Sequence, residues 1–353
     1  MVWEGSTCFN DRTFPQLFLL AVLSANAYFC GISSVVMFLM PPGTACYTER
    51  EIKQTGVGVT MNKSWMKRQS RLGYLFIGPN MLGVLLFFII PAAYSFYLMF
   101  TDYRFMDPDT NFVGLANIRR MLGDEIFYVA LRNTFIFLLA VPVSILLSFL
   151  VAVALNKSVY LQKTLRALYF MPYITSGVAI AFVWMLLFQP TSGPINGFLQ
   201  GIGIAHPPGW LSTTESSMYA IDIIWIWFML GYNMIIYLAA LQEIPEELLE
   251  AARIDGARPL QTLLRIIWPL VSPTTFLLLI TGLIMTIKNF GIIQAITQGG
   301  PGNSTTVLSL FIYQNAFRYY EMGYAAAISW ALFVIIMIFT VLQWLGQKRW
   351  VHY

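Results

Sequence analysis

Long apolar runs separated by short clusters of charge dominate the chain. A helix needs about 20 apolar residues to cross about 30 Å of hydrocarbon, because each residue adds about 1.5 Å. Leu72–Thr101 and Asn133–Asn156 contain no Lys, Arg, Asp or Glu, and they predict the first two spans. Residues 167–214 are also free of charge, but Gln189–Pro194 and His206–Gly209 are rich in Pro, Gly and Ser. This predicts one span to about Phe188 and then a loop. Ile223–Gln242 predicts a fourth span, Pro273–Ile296 a fifth with Lys288 inside it, and Met322–Gln347 a sixth. The expected fold is all-α and integral to the membrane, with six spans in residues 61–353.

Composition agrees with this pattern. The chain has 353 residues, of which 58% are hydrophobic and 11% charged, against about 45–50% and 25% in soluble domains. A soluble domain, a disordered chain and a disulfide scaffold are excluded. The net charge of +4 comes without a basic run or a basic repeat interleaved with aromatics, so no nucleic-acid partner is expected. The placement of charge sets orientation. Twelve basic residues precede the first, third and fifth spans or follow the sixth: Lys63, Lys67, Arg68, Arg71, Lys157, Lys163, Arg166, Arg253, Arg258, Arg265, Lys348 and Arg349. The opposite loops carry Arg104, Arg119, Arg120 and Arg318. Both ends of the six-span core, the C-terminus included, are therefore expected in the cytoplasm.

Residues 1–60 differ from the rest. They hold all three cysteines, Cys8, Cys30 and Cys46. Either Phe14–Met40 forms a seventh span, or the native start is Met61, followed by an ordinary basic leader; the break in composition favours the second. Glu4 and Asp11 stand where a signal peptide would carry basic residues. Three cysteines do not make a disulfide framework.

Several chemistries lack their marks. No Gly-Lys pair occurs, so no Walker phosphate loop is expected. His206 and His352 are too few and too far apart for a histidine metal site. Neither a Gly-x-Ser-x-Gly elbow nor a His-Glu-x-x-His pair is present. Asp222 and Glu321 are the acids near a span, both close to span ends, which argues against a proton relay. A secondary transporter should show an internal repeat of its spans, and none is clear.

The most informative segment is the loop over residues 243–272. Pro245 suits a first helical position, and Glu246 and Glu247 favour the positive end of a helix dipole. Glu250-Ala251-Ala252 are good helix formers, and Gly256 supplies a residue able to take positive φ and end the helix. Leu260, Leu263, Leu264 and Ile267 recur at i, i+3, i+4 and i+7, which predicts an amphipathic second helix. Five acids and three bases crowd this loop of a charge-poor chain. A structured, charged hairpin between spans should dock something.

This loop resembles the EAA loop of ABC importer permeases, on Glu250-Ala251-Ala252, Gly256, Ile266 and Pro269. Trp268 departs from the pattern, where the family usually has Leu before Pro269. The longer form Glu-Ala-Ala-x-x-Asp-Gly-Ala, completed by Asp255 and Ala257, is similar to the carbohydrate-uptake branch, which includes maltose, lactose and glycerol-phosphate permeases. Residues 74–80, Ile90-Pro91, residues 112–117, Arg132-Asn133-Thr134, residues 297–301 and residues 323–327 resemble other segments of that branch. The resemblance spans about residues 70–347.

It implies a six-span permease subunit of the bacterial cell membrane with no catalysis of its own and no cofactor. ATP and Mg would be bound by a partner ABC ATPase dimer. A second, similar permease and an extracytoplasmic solute-binding protein complete the implied assembly. Glu250, Ala251, Ala252, Asp255, Gly256 and Pro269 would engage the ATPase, with Glu250 on an Arg and the Gly256 turn in a cleft. The implied cargo is a sugar or oligosaccharide, with glycerol phosphate or another small polar solute as the alternative.

Within the spans, Trp225, Trp227, Tyr232 and Asn233 either form an interfacial belt and helix contacts or line the pathway, with aromatics stacking on sugar rings and Asn233 bonding a hydroxyl. Lys288 either lines a water-filled path or snorkels to the outer surface. Asn289 and Gln294 are similar candidates. Gly299-Gly300-Pro301 is a tight turn, which in the family lies in an outer loop near the binding protein.

Overall fold

The computed structural model describes residues 77–107, 110–156 and 161–350, with side chains to Gln347. The two readings of residues 1–60 lie outside the described residues. The chain divides into two units, residues 1–88 and 89–353. Helix α1 (Ile77–Leu98) runs from the first into the second. All other elements below belong to the second unit.

Among the described residues every regular element is helical, beside two isolated bridges, Thr101 with Phe112 and Arg104 with Glu321. After α1 comes the short α2 (Ala116–Gly123), then α3 (Glu125–Asn156), which starts eight positions before the charge-free run. The Asp124 carboxylate accepts the Ile126 N–H at 2.8 Å. This N-cap fixes the helix start and holds a polar first turn that a charge-gap reading leaves out.

The third apolar run is not one rod, contrary to the sequence expectation. It forms α4 (Gln162–Ile174) and α5 (Gly177–Leu187), bent by 103° at the break. Pro172 removes one amide donor from α4, and the Thr175 hydroxyl turns back to the Met171 carbonyl at 2.8 Å. Thr175 and Ser176 then take non-helical ψ angles of 150° and 125°. A proline near a helix end with polar residues after it is a sequence that bends. The start of α4 is tied to the end of α3: Gln162 Nε2 and Arg166 Nη2 both donate to the Leu155 carbonyl, at 2.6 and 3.0 Å. A cation at a helix C-terminus also complements its dipole.

Beyond a loop holding α6 (Pro194–Gly201), α7 (Ser217–Gln242) starts six residues earlier than its charge-free run and carries Asp222 inside it. It packs closely on both α3 and α4. Ser148 of α3 donates to the Leu230 carbonyl at 3.0 Å. Gly231 meets the backbone of α4 at Tyr169 and Phe170, where a Cβ atom would overlap the Tyr169 carbonyl. Small residues and serine hydroxyls of this kind let helix backbones approach within a bilayer.

The charged hairpin contains α8 (Glu246–Ile254). Its return arm is three short pieces, Pro259–Thr262, the π-turn Leu263–Ile267 and Trp268–Leu270. This revises the expected amphipathic helix. The π-turn changes the register, so that Leu263 and Ile267 pack inward while Leu260 and Leu264 stay exposed. The fifth run forms α9 (Ser272–Lys288) and α10 (Gly291–Ile296), separated by extended backbone at Asn289. Helix α11 (Leu308–Tyr313) and α12 (Met322–Trp350) complete the chain.

The core is a chain of apolar clusters. One joins α3, α5, α7 and α10 around Ile221, Ile224 and Ile293; another joins α3, α7 and α9 around Met234, Tyr237 and Leu278; a third joins α2, α3, α11 and α12 around Leu308 and Ile328. The outward faces of α1, α3, α5 and α12 expose large apolar side chains such as Phe87, Leu146, Phe182 and Leu342. Such faces are stable only where the surrounding medium is itself apolar.

Candidate functional site

The hairpin after α7 is the most exposed structured feature of the sequence-predicted site. Pro245 precedes α8, Glu246 and Glu247 fill its first turn, and Arg253 lies in its last. The helix closes with two backbone bonds, Gly256 N–H to the Arg253 carbonyl at 3.1 Å and Ala257 N–H to the Ala252 carbonyl at 2.9 Å. This is a Schellman ending, and it requires the left-handed conformation that Gly256 takes, with φ of +75°. Among the described residues, no neighbouring heavy atom lies within 4 Å of the position a Gly256 Cβ would occupy.

Glu250, Ala251, Asp255 and Gly256 are exposed, and Ile254 is 86% exposed at the tip. The Glu250 and Asp255 carboxylates have no ion-pair partner among the described residues. Ala252 faces inward and is buried. Pro269 is half-buried at the base. Beside it Trp268 packs its edge on Phe149 of α3, with centroids 5.0 Å apart. Phe149 in turn meets Tyr237 of α7 at 5.4 Å. The departure from the resembled motif is therefore an aromatic anchor that joins the hairpin to the span bundle. The signal for it was absent from the loop itself, because Phe149 lies far upstream in sequence.

Of the interior candidates, Trp225 and Tyr232 are joined in one aromatic run through Phe228 and Tyr173, and Asn233 lies on another face of α7. Trp225 is 4% exposed. Its indole N–H donates to the Thr286 hydroxyl of α9 at 2.8 Å, and its ring stacks on Phe228 and abuts Phe137. This sets Trp225 near the level of Lys288 and Asn289, which follow Thr286 at the end of α9. Trp225 lies between helices, not in an interfacial belt. Trp227 points elsewhere, edge-on to Trp184 of α5 at 5.5 Å, and is exposed. Tyr232 stacks on Tyr173 of α4 at 4.6 Å, against the bend.

Asn233 is 2% exposed and faces α3, with Nδ2 3.4 Å from the Ser144 hydroxyl. Its Oδ1 is buried and has no hydrogen-bond partner among the described residues. Lys288 is exposed at the last turn of α9. The Asn289 Oδ1 accepts the Ile292 N–H at 3.4 Å, and its carbonyl accepts the Ser309 hydroxyl at 3.1 Å. Asn289 thus spans the break between α9 and α10. Gln294 of α10 is half-buried, and its Oε1 has no hydrogen-bond partner among the described residues. Asp222 lies near a span end by charge counting, yet its Oδ1 is buried inside α7 with no hydrogen-bond partner among the described residues.

At the far end from the hairpin, residues 297–306 form a polar knot. Thr305 and Thr306 are fully buried. Their hydroxyls donate to the carbonyls of Gly300 at 2.9 Å and Gly299 at 3.1 Å. The Ser217 and Ser304 hydroxyls lie 2.7 Å apart and tie the knot to the start of α7. Nearby, Tyr324 of α12 donates to the second Asp124 oxygen at 2.6 Å, and Arg120 lies over the Tyr324 ring at 4.1 Å. Glu321 pairs with Arg120 at 2.7 Å and Arg104 at 3.6 Å. Asn117 donates to the carbonyls of Met99 and Thr101 and holds the end of α1. The segments 112–117, 132–134, 297–301 and 323–327, far apart in the sequence, are thus parts of connected packing at one end of the fold.

Comparison with known proteins agrees with this architecture. The family model described as "Binding-protein-dependent transport system inner membrane component" matches residues 118–351. A Bacillus subtilis (strain 168) protein described as "Probable ABC transporter permease protein YesP" is 35% identical over 306 residues, 85% of this chain and 98% of that one. The sn-glycerol-3-phosphate transport system permease protein UgpA of Agrobacterium fabrum is 34% identical, covering 80% of this chain and 96% of its own. The trehalose/maltose transport system permease protein MalF of Thermococcus litoralis is 34% identical, covering 78% and 92%. Among solved structures, a chain of a bacterial alginate ABC transporter, in complex with an alginate pentasaccharide-bound periplasmic protein, shares the fold. Its TM-score is 0.68 at 22% identity, over 82% of this chain and 98% of that one. On the matched residues and this helical architecture, the chain belongs to the binding-protein-dependent transport system inner membrane components, the multi-pass permeases of ABC importers.

Proposed function

We propose that this chain is one of two permease subunits through which a bacterial ABC importer carries a sugar or oligosaccharide across the cell membrane. An extracytoplasmic binding protein delivers the solute at the face bearing residues 297–306. Two separate ATPase subunits bind ATP and Mg on the cytoplasmic face, where the C-terminus also lies, and each grips a hairpin like Glu246–Arg258. ATP-driven closure of the ATPases moves the hairpins together, and the spans follow as bodies until the pathway opens outward. Hydrolysis resets it. This chain carries no catalysis; its part is to turn motion at the hairpin into a change of access.

One observation carries the reading. The hairpin is exposed and charged at Glu250 and Asp255, turns through a glycine with open space around it, and is fixed at its base by Trp268. A side chain at Gly256 would meet nothing among the described residues, so the turn leaves open space in which a partner's surface can approach the backbone. The sugar class is supported by the relatives, one named for trehalose and maltose. The relative named for sn-glycerol-3-phosphate, together with Lys288 at the break in the fifth span, favours a small anionic solute as the second reading.

The test uses the whole importer in membranes. Gly256→Asp and Glu250→Ala should insert normally and lower solute uptake by roughly tenfold or more, the scale expected when a charge pair across an interface is broken. Uptake at the unaltered level in both variants overturns the assignment of the hairpin. Ligand binding by the co-purified binding protein separates a neutral saccharide from glycerol phosphate.

A further inference from the structure

The loop between α5 and α7 contains a helix whose exposed edge is apolar. In α6, Phe198 is 68% exposed, Ile202 at its end is 61% exposed and Ile204 just beyond is 41% exposed. Phe198 and Ile202 are four residues apart and share one side, and the exposed Gln200 lies on the opposite side. The helix is held rigidly from its buried side. Asn196 is 3% exposed; its amide donates to the carbonyls of Pro190 at 3.0 Å and Pro208 at 3.2 Å, and its Oδ1 accepts the Trp210 indole N–H at 2.6 Å. The Trp210 ring stacks on Phe188, the residue after α5, at 4.6 Å. The apolar edge is thus presented by a fixed platform.

Two facts identify what covers that edge. No Lys, Arg, Asp or Glu occurs from residue 167 to residue 214, so the loop is uncharged until Glu215, two residues before α7. A loop of this length projecting into water or meeting a polar protein surface has no physical reason to avoid charge entirely, whereas a loop lying against hydrocarbon does. Secondly, α6 begins at Pro194, only a few residues beyond the end of α5 at Leu187, and α5 itself exposes Val178, Phe182, Val183 and Leu186. After the exposed polar residues Gln189, Thr191 and Ser192, the chain again exposes apolar side chains in α6. We propose that α6 lies in the plane of the bilayer surface opposite the charged hairpin, with Phe198 and Ile202 set among the lipid acyl chains and Gln200 facing water. The occupant of this edge is phospholipid, and the helix is an interfacial anchor of the kind an amphipathic in-plane helix provides.

The test places a spin label at each of three positions, through Phe198→Cys, Ile202→Cys and Gln200→Cys, in the complete transporter with Cys8, Cys30 and Cys46 replaced by serine. The probes are molecular oxygen, which concentrates in lipid, and a water-soluble nickel chelate, with the complex in phospholipid nanodiscs. The expected result is an oxygen-to-nickel accessibility ratio several-fold higher at 198 and 202 than at 200. Ready access of the nickel chelate to all three overturns the proposal. Labels at 198 and 202 shielded from both reagents also overturn it, in favour of a protein cover. A second measurement needs no substitution. In nanodiscs of a phospholipid with a diazirine on its acyl chain, photolysis should attach lipid to the peptide containing residues 194–204. Adducts on α1 and α5 but none on that peptide count against the proposal.

Discussion

The Asn133 side-chain amide donates to the Thr306 carbonyl at 3.0 Å, joining residues of α3 and the distal loop that are 173 positions apart. The same amide donates to the Asn303 carbonyl at 3.0 Å, and the neighbouring Thr134 hydroxyl accepts the Leu308 N–H at 2.9 Å. Two consecutive residues of one helix thereby hold the segment 303–308. Asn133→Leu removes the side-chain donor from the Thr306 carbonyl, at about 1–3 kcal/mol for a buried group left unsatisfied, while the Asn303 carbonyl keeps the Thr306 N–H at 3.1 Å. The purified protein should melt at a lower temperature and be cut faster by protease within 297–306. Unchanged melting and cleavage would mean that the Thr306 carbonyl finds another donor.

Gly231 lets α7 lie against the α4 backbone. A methyl group there has no free volume, because its position overlaps the Tyr169 carbonyl. Gly231→Ala should force the helices apart and cost about 1–3 kcal/mol, the usual range for overpacking. Thermal unfolding of the purified variant in detergent checks this. A melting temperature equal to that of the unaltered protein would refute the close crossing.

Trp225 and Thr286 form a hydrogen bond between α7 and α9 that is shielded from solvent. Trp225→Phe and Thr286→Val should each destabilise, and the double variant should be destabilised by less than the sum. A coupling of about 0.5–1.5 kcal/mol is expected for one neutral hydrogen bond. Strict additivity in a double-mutant cycle would show that the bond contributes nothing beyond packing.

Trp268 offers a test of how the hairpin is anchored. Trp268→Leu keeps an apolar side chain at the base and removes the edge-on packing against Phe149. It should lower stability by about 0.5–1.5 kcal/mol, the scale of an aromatic pair, with uptake largely preserved. Trp268→Ala leaves the base of the hairpin largely unpacked, and uptake should fall although the Glu246–Ile254 helix itself is unaltered. Equal uptake in the two variants would show that Trp268 does not connect the hairpin to the bundle.

Much of this organisation is legible in the sequence because lipid is a strict solvent. Charge gaps find the spans, and the glycine at 256 marks the end of α8. Boundaries are less legible, since Asp124 caps a helix that charge counting begins at Asn133, and Asp222 is enclosed by α7 instead of ending it. The 103° bend after Ile174 is hidden because Thr175 and Ser176 carry no charge and interrupt the apolar run only briefly. Residue type alone suggests a common path for the interior candidates. Around α7, Trp225 and Tyr232 share one face and are joined through Phe228 and Tyr173, while Asn233 faces α3. Partners such as Thr286 and Tyr173 lie in other segments, so no local pattern around residues 225–233 could announce them.

Helix α3 has 32 residues. At about 1.5 Å per residue it is about 48 Å long, well beyond the about 30 Å of hydrocarbon it has to cross. One end is gripped at Leu155 by Gln162 and Arg166, and the other at Asp124 by Tyr324. Phe149, near the first end, touches Trp268 at the base of the hairpin. The helix is therefore a lever with fixtures at both faces of the membrane. Rotated about its hairpin-side end by about 5°, it displaces its far end by about 4 Å, enough to break and remake a hydrogen bond such as the one Asn133 makes to Thr306.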